Sequence, residues 1–325
     1  MSQAQSEPTL QQRPFKIFSG SSSDKVAEKV AEHLDVPLGE RVLSRFSDGE
    51  IRFELQENVR GRDIYVVQST CAPVNENLME LFVIGDALKR ASVRSACAVL
   101  PYYGYSRQDR KPAPRTPISA KLVADLLSSS GFSRLITVDL HAGQIQGFFD
   151  FPVDHLFSMK VLYQHLSQEF KGEDITVVSP DAGGTERARI MAKLFHAPLA
   201  IVDKRRSGPN EAKAMNLIGE VDGRVALIVD DMIDTGGTLL QAAGLLREQG
   251  ATKVVACATH GVFSGAALSR ISDPLFSKLV VTDTIPLSEE FEKLDHVEVV
   301  SIAPLIAETI RRIQRNDSVS ALLEC

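Results

Sequence analysis

The sequence predicts an α/β fold of two domains, each built on a parallel β-sheet flanked by helices. Strand-like apolar segments alternate with helix-like segments along the chain, a pattern typical of parallel sheets. Several of these segments are unbroken apolar runs, such as residues 225–229 (VALIV), as expected of strands that are buried on both faces. The length of 325 residues corresponds to about two domains of roughly 150 residues each.

The elements follow in chain order. Residues 1–14 are rich in Gln, Ser and Glu, and we expect them to form a disordered extension. A first strand is predicted at 15–18, and the helical spacing of apolar residues over 26–34 predicts a helix after it. Further strands are predicted at 63–68, 95–100, 135–140, 175–178, 199–202, 225–229, 254–258, 279–282 and 297–300. Helical patterns such as 78–88 and 122–127 lie between them.

The number of predicted strands is too large for one small sheet. We therefore expect a boundary near residues 153–158, which separates an N-terminal domain of 15–157 from a C-terminal domain of 158–325. In both halves a strand ends in acidic residues, at Asp139 and at Asp230, so a weak internal duplication is conceivable from the pattern.

Composition excludes several classes of protein. Hydrophobic residues are 44% and charged residues 24%, close to the globular average, and a net charge of −6 argues against nucleic acid as a partner. No apolar run reaches the length of about 18 residues that a membrane span needs, and residues 1–14 lack the apolar segment of a signal peptide. The four cysteines lie far apart, which favours reduced thiols in a cytoplasmic protein.

The strongest local motif is residues 229–238 (VDDMIDTGGT), which a helical pattern follows. Glycines permit a tight loop, and backbone N–H groups at a helix N-terminus bind anions, so the loop suits a phosphate monoester. The adjacent carboxylates of Asp230 and Asp231 suit the vicinal hydroxyls of a sugar. An N-capped helix after an ordinary tight turn is the alternative, and two adjacent acids after five apolar residues argue against it.

Three other segments carry candidate chemistry. The chain has neither a P-loop nor a G-x-G-x-x-G motif, but residues 102–111 interleave aromatic residues, glycine and cations; a solvated surface turn is the alternative. His141 follows a predicted strand, and a histidine in that position is by itself more often structural than a ligand. Residues 203–206 (DKRR) precede a Gly/Pro segment, and such a charge cluster is usually a solvated surface.

Taken together, these segments are similar to a known family. The segments that carry the similarity are 46–50 (FSDGE), 57–61 (ENVRG), 68–70 (QST), 77–81 (NLMEL), 101–111 (PYYGYSRQDRK), 139–149 (DLHAGQIQGFF), 179–184 (SPDAGG) and 229–238. In this order they resemble the ribose-phosphate diphosphokinases, the phosphate-activated class of PRPP (phosphoribosyl diphosphate) synthetases. The resemblance implies two similar phosphoribosyltransferase-like domains of the type I fold, the second carrying the PRPP-binding loop. It covers nearly everything from Phe15 to Leu323.

The resemblance implies that the diphosphoryl group of Mg·ATP is transferred to the 1-hydroxyl of ribose 5-phosphate, giving PRPP and AMP for nucleotide biosynthesis. It also implies roles for individual residues. ATP would contact Asp48, Gly49, Glu50, Arg107 and Gln108, the first three from a neighbouring subunit. Ribose 5-phosphate would contact Arg206, Asp230, Asp231, Asp234, Thr235, Gly236, Gly237 and Thr238. Mg²⁺ would bind His141 and Asp181, and Lys204 and Arg206 would be catalytic.

The family forms hexamers with ATP sites shared between subunits, so the resemblance implies a homo-oligomer that binds neither nucleic acid nor membrane. Two departures stand out: residues 111–116 are short and proline-rich, and the extension 1–14 has no counterpart. Regulatory contacts of the family fall near Asn58, Arg60 and residues 318–320, surfaces that vary between its members.

Two other functions share parts of this pattern. A phosphoribosyltransferase would share the 230–238 loop but would not need the 46–50 and 102–111 motifs. A non-catalytic associated protein of the same family would be expected to have lost the catalytic cations, whereas Lys204 and Arg206 are present.

Overall fold

The computed structural model describes residues 15–205 and 214–323, apart from the side chains of Lys204, Arg205, Ala214 and Leu323. These residues form two compact units. Unit 1 comprises the described residues up to Phe157 and those from Ile302 onward, and unit 2 comprises Ser158–Ser301. The division after Phe157 lies where the sequence placed it, but the segment from Ile302 onward, which the sequence assigned to the C-terminal domain, lies in unit 1. The predicted extension 1–14 lies outside the described residues.

Unit 1 is built on a five-stranded parallel sheet in the order β1-β4-β5-β6-β7. Its elements are β1 (Phe15–Ser19), α1 (Asp24–Leu34), β2 (Arg41–Arg45), β3 (Ile51–Leu55), β4 (Asp63–Val67), α2 (Val74–Arg90), β5 (Ser95–Leu100), α3 (Ser119–Ser130), β6 (Arg134–Val138), a 3-10 helix (Gly143–Phe148), β7 (Val153–Leu156), α9 (Ala303–Arg315) and α10 (Ser320–Leu323). The parallel order brings the carboxyl ends of the strands to one edge of the sheet.

The antiparallel hairpin of β2 and β3 stands apart from this sheet and was not predicted. Both strands alternate between half-buried and exposed residues, whereas the sequence analysis relied on unbroken apolar runs. Residues 46–50 join the two strands, and Gly49 there has a φ of 95°. Glycine adopts this left-handed region more readily than other residues do, which explains the Asp-Gly pair in the turn.

Helix α9 packs in unit 1 because one of its faces is apolar and meets α1. Ile306 and Ile310 are fully buried, and the remaining faces carry arginines. Polar contacts add to this packing: Arg311 Nη2 donates to the carbonyl oxygen of His33 at 2.7 Å, and Gln314 Nε2 donates to the Tyr65 hydroxyl at 2.8 Å. Helix α9 thus completes the core of unit 1, whose five-stranded sheet precedes unit 2 in the chain.

Unit 2 is built on a seven-stranded sheet in the order β10-β9-β8-β11-β12-β13-β14. Its elements are α4 (Met159–Glu169), β8 (Ile175–Ser179), α5 (Thr185–Phe195), β9 (Leu199–Arg205), β10 (Ala214–Ile218), β11 (Val225–Ile233), α6 (Gly237–Glu248), β12 (Lys253–Gly261), α7 (Ala267–Ile271), β13 (Lys278–Thr282), α8 (Glu289–Glu292) and β14 (Val297–Val300). All neighbours pair in parallel except β10, which pairs antiparallel with β9. The sequence analysis missed β10.

Both faces of the unit 2 sheet are covered, as the apolar run at 225–229 predicts. Val225, Leu227 and Val229 pack into one apolar cluster, and Ala226 and Ile228 pack into another on the opposite face. Because successive side chains of a strand point to opposite faces, a strand between two such clusters must be apolar at every position. The prediction of two α/β domains with parallel sheets is therefore confirmed, with β10 and the β2–β3 hairpin as antiparallel additions.

Within the part of the chain that is described, no helix is both long and apolar enough to cross a membrane. Cys71, Cys97 and Cys257 are buried free thiols.

Candidate functional site

Two adjacent carboxylates, Asp230 and Asp231, lie at the centre of the unit 2 sheet. They belong to β11, which continues to Ile233, so they do not follow the strand as the sequence suggested. Asp230 is half-buried and Asp231 is buried. The Asp231 backbone N–H donates to Asp230 Oδ1 at 2.8 Å, which fixes the first carboxylate.

Electrostatics make this pair unusual. Burial, together with the charge of Asp231, raises the pKa of Asp230 well above its ordinary range. The guanidinium of Arg187 opposes that rise: its Nη1 lies 3.7 Å from Asp230 Oδ1 and 3.7 Å from Asp231 Oδ1. Arg187 is on α5, so the helix after β8 supplies the cation for the acids of β11. The two carboxylates can accept hydrogen bonds from sugar hydroxyls, and a ligand that carries such donors stabilises the pair most.

The predicted anion-binding loop, residues 234–238, follows β11 and leads into α6. Gly236 caps the helix with a φ of 71°, in the left-handed region, and its carbonyl oxygen accepts from the Leu240 N–H at 2.9 Å. The first backbone N–H groups of a helix have no partner within the helix and favour an anion. The expected loop geometry is therefore present, with glycine required by φ at Gly236 and not at Gly237.

A second segment, residues 263–270, packs against this loop. Ser264 Oγ donates to Asp234 Oδ1, and the Ser264 N–H donates to the Asp234 carbonyl oxygen at 3.1 Å. Arg270 Nη1 donates to the Thr235 carbonyl oxygen at 2.9 Å. Phe263 anchors the segment, since its ring stacks on that of Phe291 with the centroids 4.5 Å apart. The loop is thereby bonded to a neighbouring part of the fold.

The turn that carries Asp181 lies beside β11, because β8 and β11 are paired neighbours. Asp181 Oδ1 accepts from the Gly184 N–H at 3.0 Å, and Ser179 Oγ donates to the Asp181 carbonyl oxygen at 2.7 Å. Oδ2 of Asp181 accepts no hydrogen bond from any residue that the structure describes. A fixed carboxylate with one oxygen available suits Mg²⁺, which takes few protein ligands when phosphates and water supply the others.

His141, the other expected metal ligand, lies in unit 1 and is exposed just beyond β6. The 3-10 helix that follows it is tied to the predicted ATP segment, since Gln144 Nε2 donates to Asp109 Oδ2 at 2.6 Å. Unit 1 thus brings His141 and the segment that carries Arg107 and Gln108 into one neighbourhood. His141 and Asp181 lie in different units, and their joint action on one ion stays a prediction.

The expected ATP contacts of unit 1 fall in two places. Arg107 and Gln108 are exposed, and Gln108 Oε1 accepts from the Ser119 hydroxyl at the start of α3. Asp48, Gly49 and Glu50 occupy the exposed turn of the β2–β3 hairpin, where Asp48 Oδ1 accepts from the Glu50 N–H at 3.1 Å. An exposed hairpin turn is a position from which a residue can reach another chain, and this role stays a prediction.

The two expected catalytic cations are described only in part. Lys204 belongs to β9, which pairs with β8, but its side chain is not described. Arg206 lies outside the described residues. Their roles stay predictions.

Sequence reasoning missed two residues that the structure joins to the site, Arg187 and Arg270. A signal for Arg187 was available, because two adjacent acids next to a buried strand favour a compensating cation, and residues 185–189 follow a strand that was predicted. Arg270 lies 35 residues beyond Thr235, and no local pattern connects the two.

Comparison with known proteins is consistent across the chain. Residues 15–131 match the N-terminal domain of ribose phosphate pyrophosphokinase, and residues 176–324 match the phosphoribosyl synthetase-associated domain. The ribose-phosphate pyrophosphokinase of Neisseria meningitidis serogroup A is 54% identical over 307 residues, 94% of each chain. That of Caldanaerobacter subterraneus is 53% identical over 308 residues, 95% of this chain and 97% of its own.

A solved structure agrees. The phosphoribosylpyrophosphate synthetase from Mycobacterium smegmatis is 43% identical and superposes with a TM-score of 0.89, covering 94% of this chain and 100% of its own. Similarity of this extent covers both units. It disfavours a phosphoribosyltransferase, which needs no counterpart of residues 15–131.

Proposed function

Since the chain belongs to the ribose-phosphate pyrophosphokinase family and is an enzyme of that class, we propose which of its residues make PRPP from ATP and ribose 5-phosphate. The observation that carries the assignment is in unit 2, where the half-buried carboxylate of Asp230 and the buried carboxylate of Asp231 in β11 are followed by a loop at the N-terminus of α6. A phosphate monoester and a vicinal diol are the two groups that such a site complements, and ribose 5-phosphate carries both.

In this proposal the loop of Asp234, Thr235, Gly236, Gly237 and Thr238 holds the 5-phosphate. Backbone N–H groups, the two threonine hydroxyls and the positive end of α6 supply the attraction. Asp230 and Asp231 accept hydrogen bonds from the ribose hydroxyls. Arg187 favours the ionised form of the acids, which is the form that accepts.

For the nucleotide, we assign Arg107 and Gln108 to ATP, with Asp48, Gly49 and Glu50 from a neighbouring subunit. The guanidinium of Arg107 can pair with phosphate or stack on the base. Mg²⁺ bound with ATP would neutralise phosphate charge, and His141 and Asp181 are the residues that would hold it. The orientation of the Asp181 carboxylate by Gly184 supports that assignment.

The chemical step is an in-line displacement. The 1-hydroxyl oxygen of ribose 5-phosphate attacks the β-phosphorus, the bond between that phosphorus and the oxygen bridging to the α-phosphorus breaks, AMP leaves, and the hydroxyl proton passes to solvent. Negative charge is redistributed over the phosphoryl oxygens, and we assign its stabilisation to Lys204 and Arg206. The same Arg206 would contact ribose 5-phosphate.

We further propose that the enzyme is a cytoplasmic homo-oligomer, a hexamer if it follows its family. Leu122 and Leu126 support self-association, because they are one turn apart on α3 and are 58% and 42% exposed. The buried free thiols support a reducing compartment. Sedimentation velocity measures the oligomer directly, and a fully active monomer would contradict the shared ATP site.

The function is tested by following ATP with purified protein, Mg²⁺ and ribose 5-phosphate, using ³¹P NMR. We expect AMP and PRPP to appear in equal amounts, and neither to appear when ribose 5-phosphate is omitted. ADP as the product would mean transfer of a single phosphoryl group. Consumption of added PRPP with a free base, in the absence of ATP, would identify a phosphoribosyltransferase instead.

A further inference from the structure

The segment 263–270 has no role in the function assigned so far, yet its polar contacts converge on the phosphate loop. Arg270, in α7, is half-buried, and its Nη1 donates to the Thr235 carbonyl oxygen at 2.9 Å. The Arg270 side chain lies against the next two residues of the loop. A Cβ placed on Gly237 would be 3.2 Å from Nη1, and one placed on Gly236 would be 3.5 Å from the Arg270 Cβ. Arg270 therefore covers one side of the turn.

This bond controls which way the loop presents its donors. In a trans peptide the carbonyl and the N–H point in opposite directions. Because Arg270 holds the Thr235 carbonyl, the N–H of Gly236 points to the opposite side of the loop. Gly236, with a φ of 71°, has the wide backbone freedom of glycine, and the bond to the Thr235 carbonyl oxygen restricts that freedom.

Ser264 acts on the residue before. It donates from both its hydroxyl and its N–H to Asp234, so the start of the loop is fixed at two atoms. Ser264 and Arg270 reach consecutive residues of the loop, Asp234 and Thr235. The 263–270 segment thus restrains the loop before any ligand arrives.

We propose that Arg270 is the positioning residue of the phosphate loop, with Ser264 as its partner, and that it sets the affinity for the phosphate monoester of the sugar substrate. The proposal rests on the assignment of this loop to ribose 5-phosphate. Arg270 acts in two ways. It holds the Gly236 N–H toward the phosphate, which avoids an ordering cost on binding, and it places a positive charge on the other side of the loop from the anion.

The experiment compares Arg270→Gln and Arg270→Lys with the control Arg247→Gln in the full-length enzyme. Arg247 lies near the other end of α6 and also donates to backbone carbonyls, including that of Ala251 at 3.0 Å. We expect Arg270→Gln to raise KM for ribose 5-phosphate on the order of 10- to 100-fold, as for the loss of a hydrogen bond from a charged group. We expect kcat at saturation and KM for ATP to change less than about threefold.

Arg270→Lys should recover part of the loss, because it keeps the charge but not the planar donor geometry. Arg247→Gln should leave KM for ribose 5-phosphate unchanged. If KM for ribose 5-phosphate and KM for ATP rose equally in Arg270→Gln, the positioning role would be overturned. A rise of KM for ribose 5-phosphate in Arg247→Gln as large as that in Arg270→Gln would also overturn it, because a general loss of stability would then explain both variants. An unchanged KM for ribose 5-phosphate in Arg270→Gln would also overturn it.

Calorimetry separates failure of this inference from failure of the proposed function. Wild-type protein that binds no ribose 5-phosphate would contradict the function itself. Wild-type protein that binds it, with Arg270→Gln binding equally well, would contradict only the role of Arg270. Far-UV circular dichroism on each variant confirms that the fold is retained.

Discussion

In the folded protein the Asp230 carboxyl group keeps its proton to a higher pH than an aspartate in water does. Its half-buried carboxylate is next to the buried carboxylate of Asp231, and Arg187 at 3.7 Å offsets only part of the electrostatic cost of that arrangement. The pKa of Asp230 is consequently raised, first by burial and then by its neighbour. Hydroxyl groups of a ligand can donate hydrogen bonds to both carboxylates and so reduce the cost of burying them. That reduction adds to the binding free energy of a sugar.

This predicts a pH-dependent stabilisation by Asp230→Asn. An aspartate in the unfolded chain has a pKa of about 3.9, and the pKa of Asp230 in the folded protein is higher. At pH values between these two pKa values, Asp230 is protonated in the folded state and ionised in the unfolded state. The free energy of unfolding of the wild type therefore falls as pH rises through that window. We expect Asp230→Asn to raise Tm by about 3 °C at pH 9, to have little effect at pH 4, and to weaken binding of ribose 5-phosphate.

Scanning calorimetry across pH 4–9 measures the effect. Asp295→Asn, a change of an exposed acid in the same unit, is the control and should show no such trend. A gain in Tm of equal size at both ends of the range would contradict a titrating carboxylate pair.

At Lys204 we predict a loss of transition-state stabilisation. It lies in β9, and a cation that acts only on the redistributed phosphoryl charge should change kcat and leave KM nearly unaltered. Lys204→Ala should lower kcat on the order of 10² to 10³-fold, as for the loss of one oxyanion donor. Steady-state kinetics measure this effect, and Lys293→Ala, a change of an exposed lysine, is the control. A normal kcat with a raised KM for ATP in Lys204→Ala would contradict the role in the transition state.

Among the elements, the turn between β11 and α6 depends most on one backbone conformation. Gly236 has a φ of 71° and Gly223 a φ of 70°, but only the first is in the candidate site. A side chain at either position costs about 1–2 kcal/mol of backbone strain. The two glycines are therefore a matched pair for separating strain from function.

We predict that Gly236→Ala and Gly223→Ala destabilise the protein by similar amounts, about 1–2 kcal/mol in urea titrations. Only Gly236→Ala should also weaken ribose 5-phosphate, by at least about tenfold, because it shifts the N–H groups that receive the phosphate. Binding of Mg·ATP should survive in both. Equal ribose 5-phosphate affinities in the two variants would exclude the loop as the phosphate site.

The elements also show how far sequence reasoning extends. Strand β11 and the loop after it were predictable, because an apolar run, two acids and two glycines are local signals. The contacts of Arg187 with Asp230 and of Arg270 with Thr235 were not, since each joins residues 35 or more positions apart in the chain. The hairpin turn of Asp48–Glu50 carried the motif but no unbroken apolar run, so its strands were missed.

At the scale of the whole molecule, unit 1 is discontinuous in sequence. Helix α9 follows all of unit 2 in the chain but packs on α1. Contacts between distant segments determine this arrangement, and the local periodicity of the sequence does not reveal it. This is why the sequence assigned the described residues from 302 to 323 to the wrong domain while placing the boundary after residue 157.

We predict that Ile310→Ala in α9 lowers the stability of unit 1. Ile310 is fully buried, and removal of such a side chain costs about 2–5 kcal/mol. In hydrogen-exchange mass spectrometry of the intact chain, protection of β1 and α1 should fall and that of β11 and β12 should be retained. Ile228→Ala, a fully buried change in β11, should give the reverse pattern. Loss of protection in β11 alone for Ile310→Ala would contradict the membership of α9 in unit 1.

The same discontinuity orders events during synthesis on the ribosome. Chains grow from the N-terminus at about 5–20 residues per second, so roughly 15 to 50 s pass between the emergence of α1, which ends at Leu34, and that of α9, which begins at Ala303. Throughout that interval the nascent unit 1 exposes the apolar surface that α9 will cover, and by its end all the strands of unit 2 have been synthesised. The domain translated first is therefore the last to be completed, and its period of exposure to chaperone capture or aggregation ends only when α9 leaves the exit tunnel.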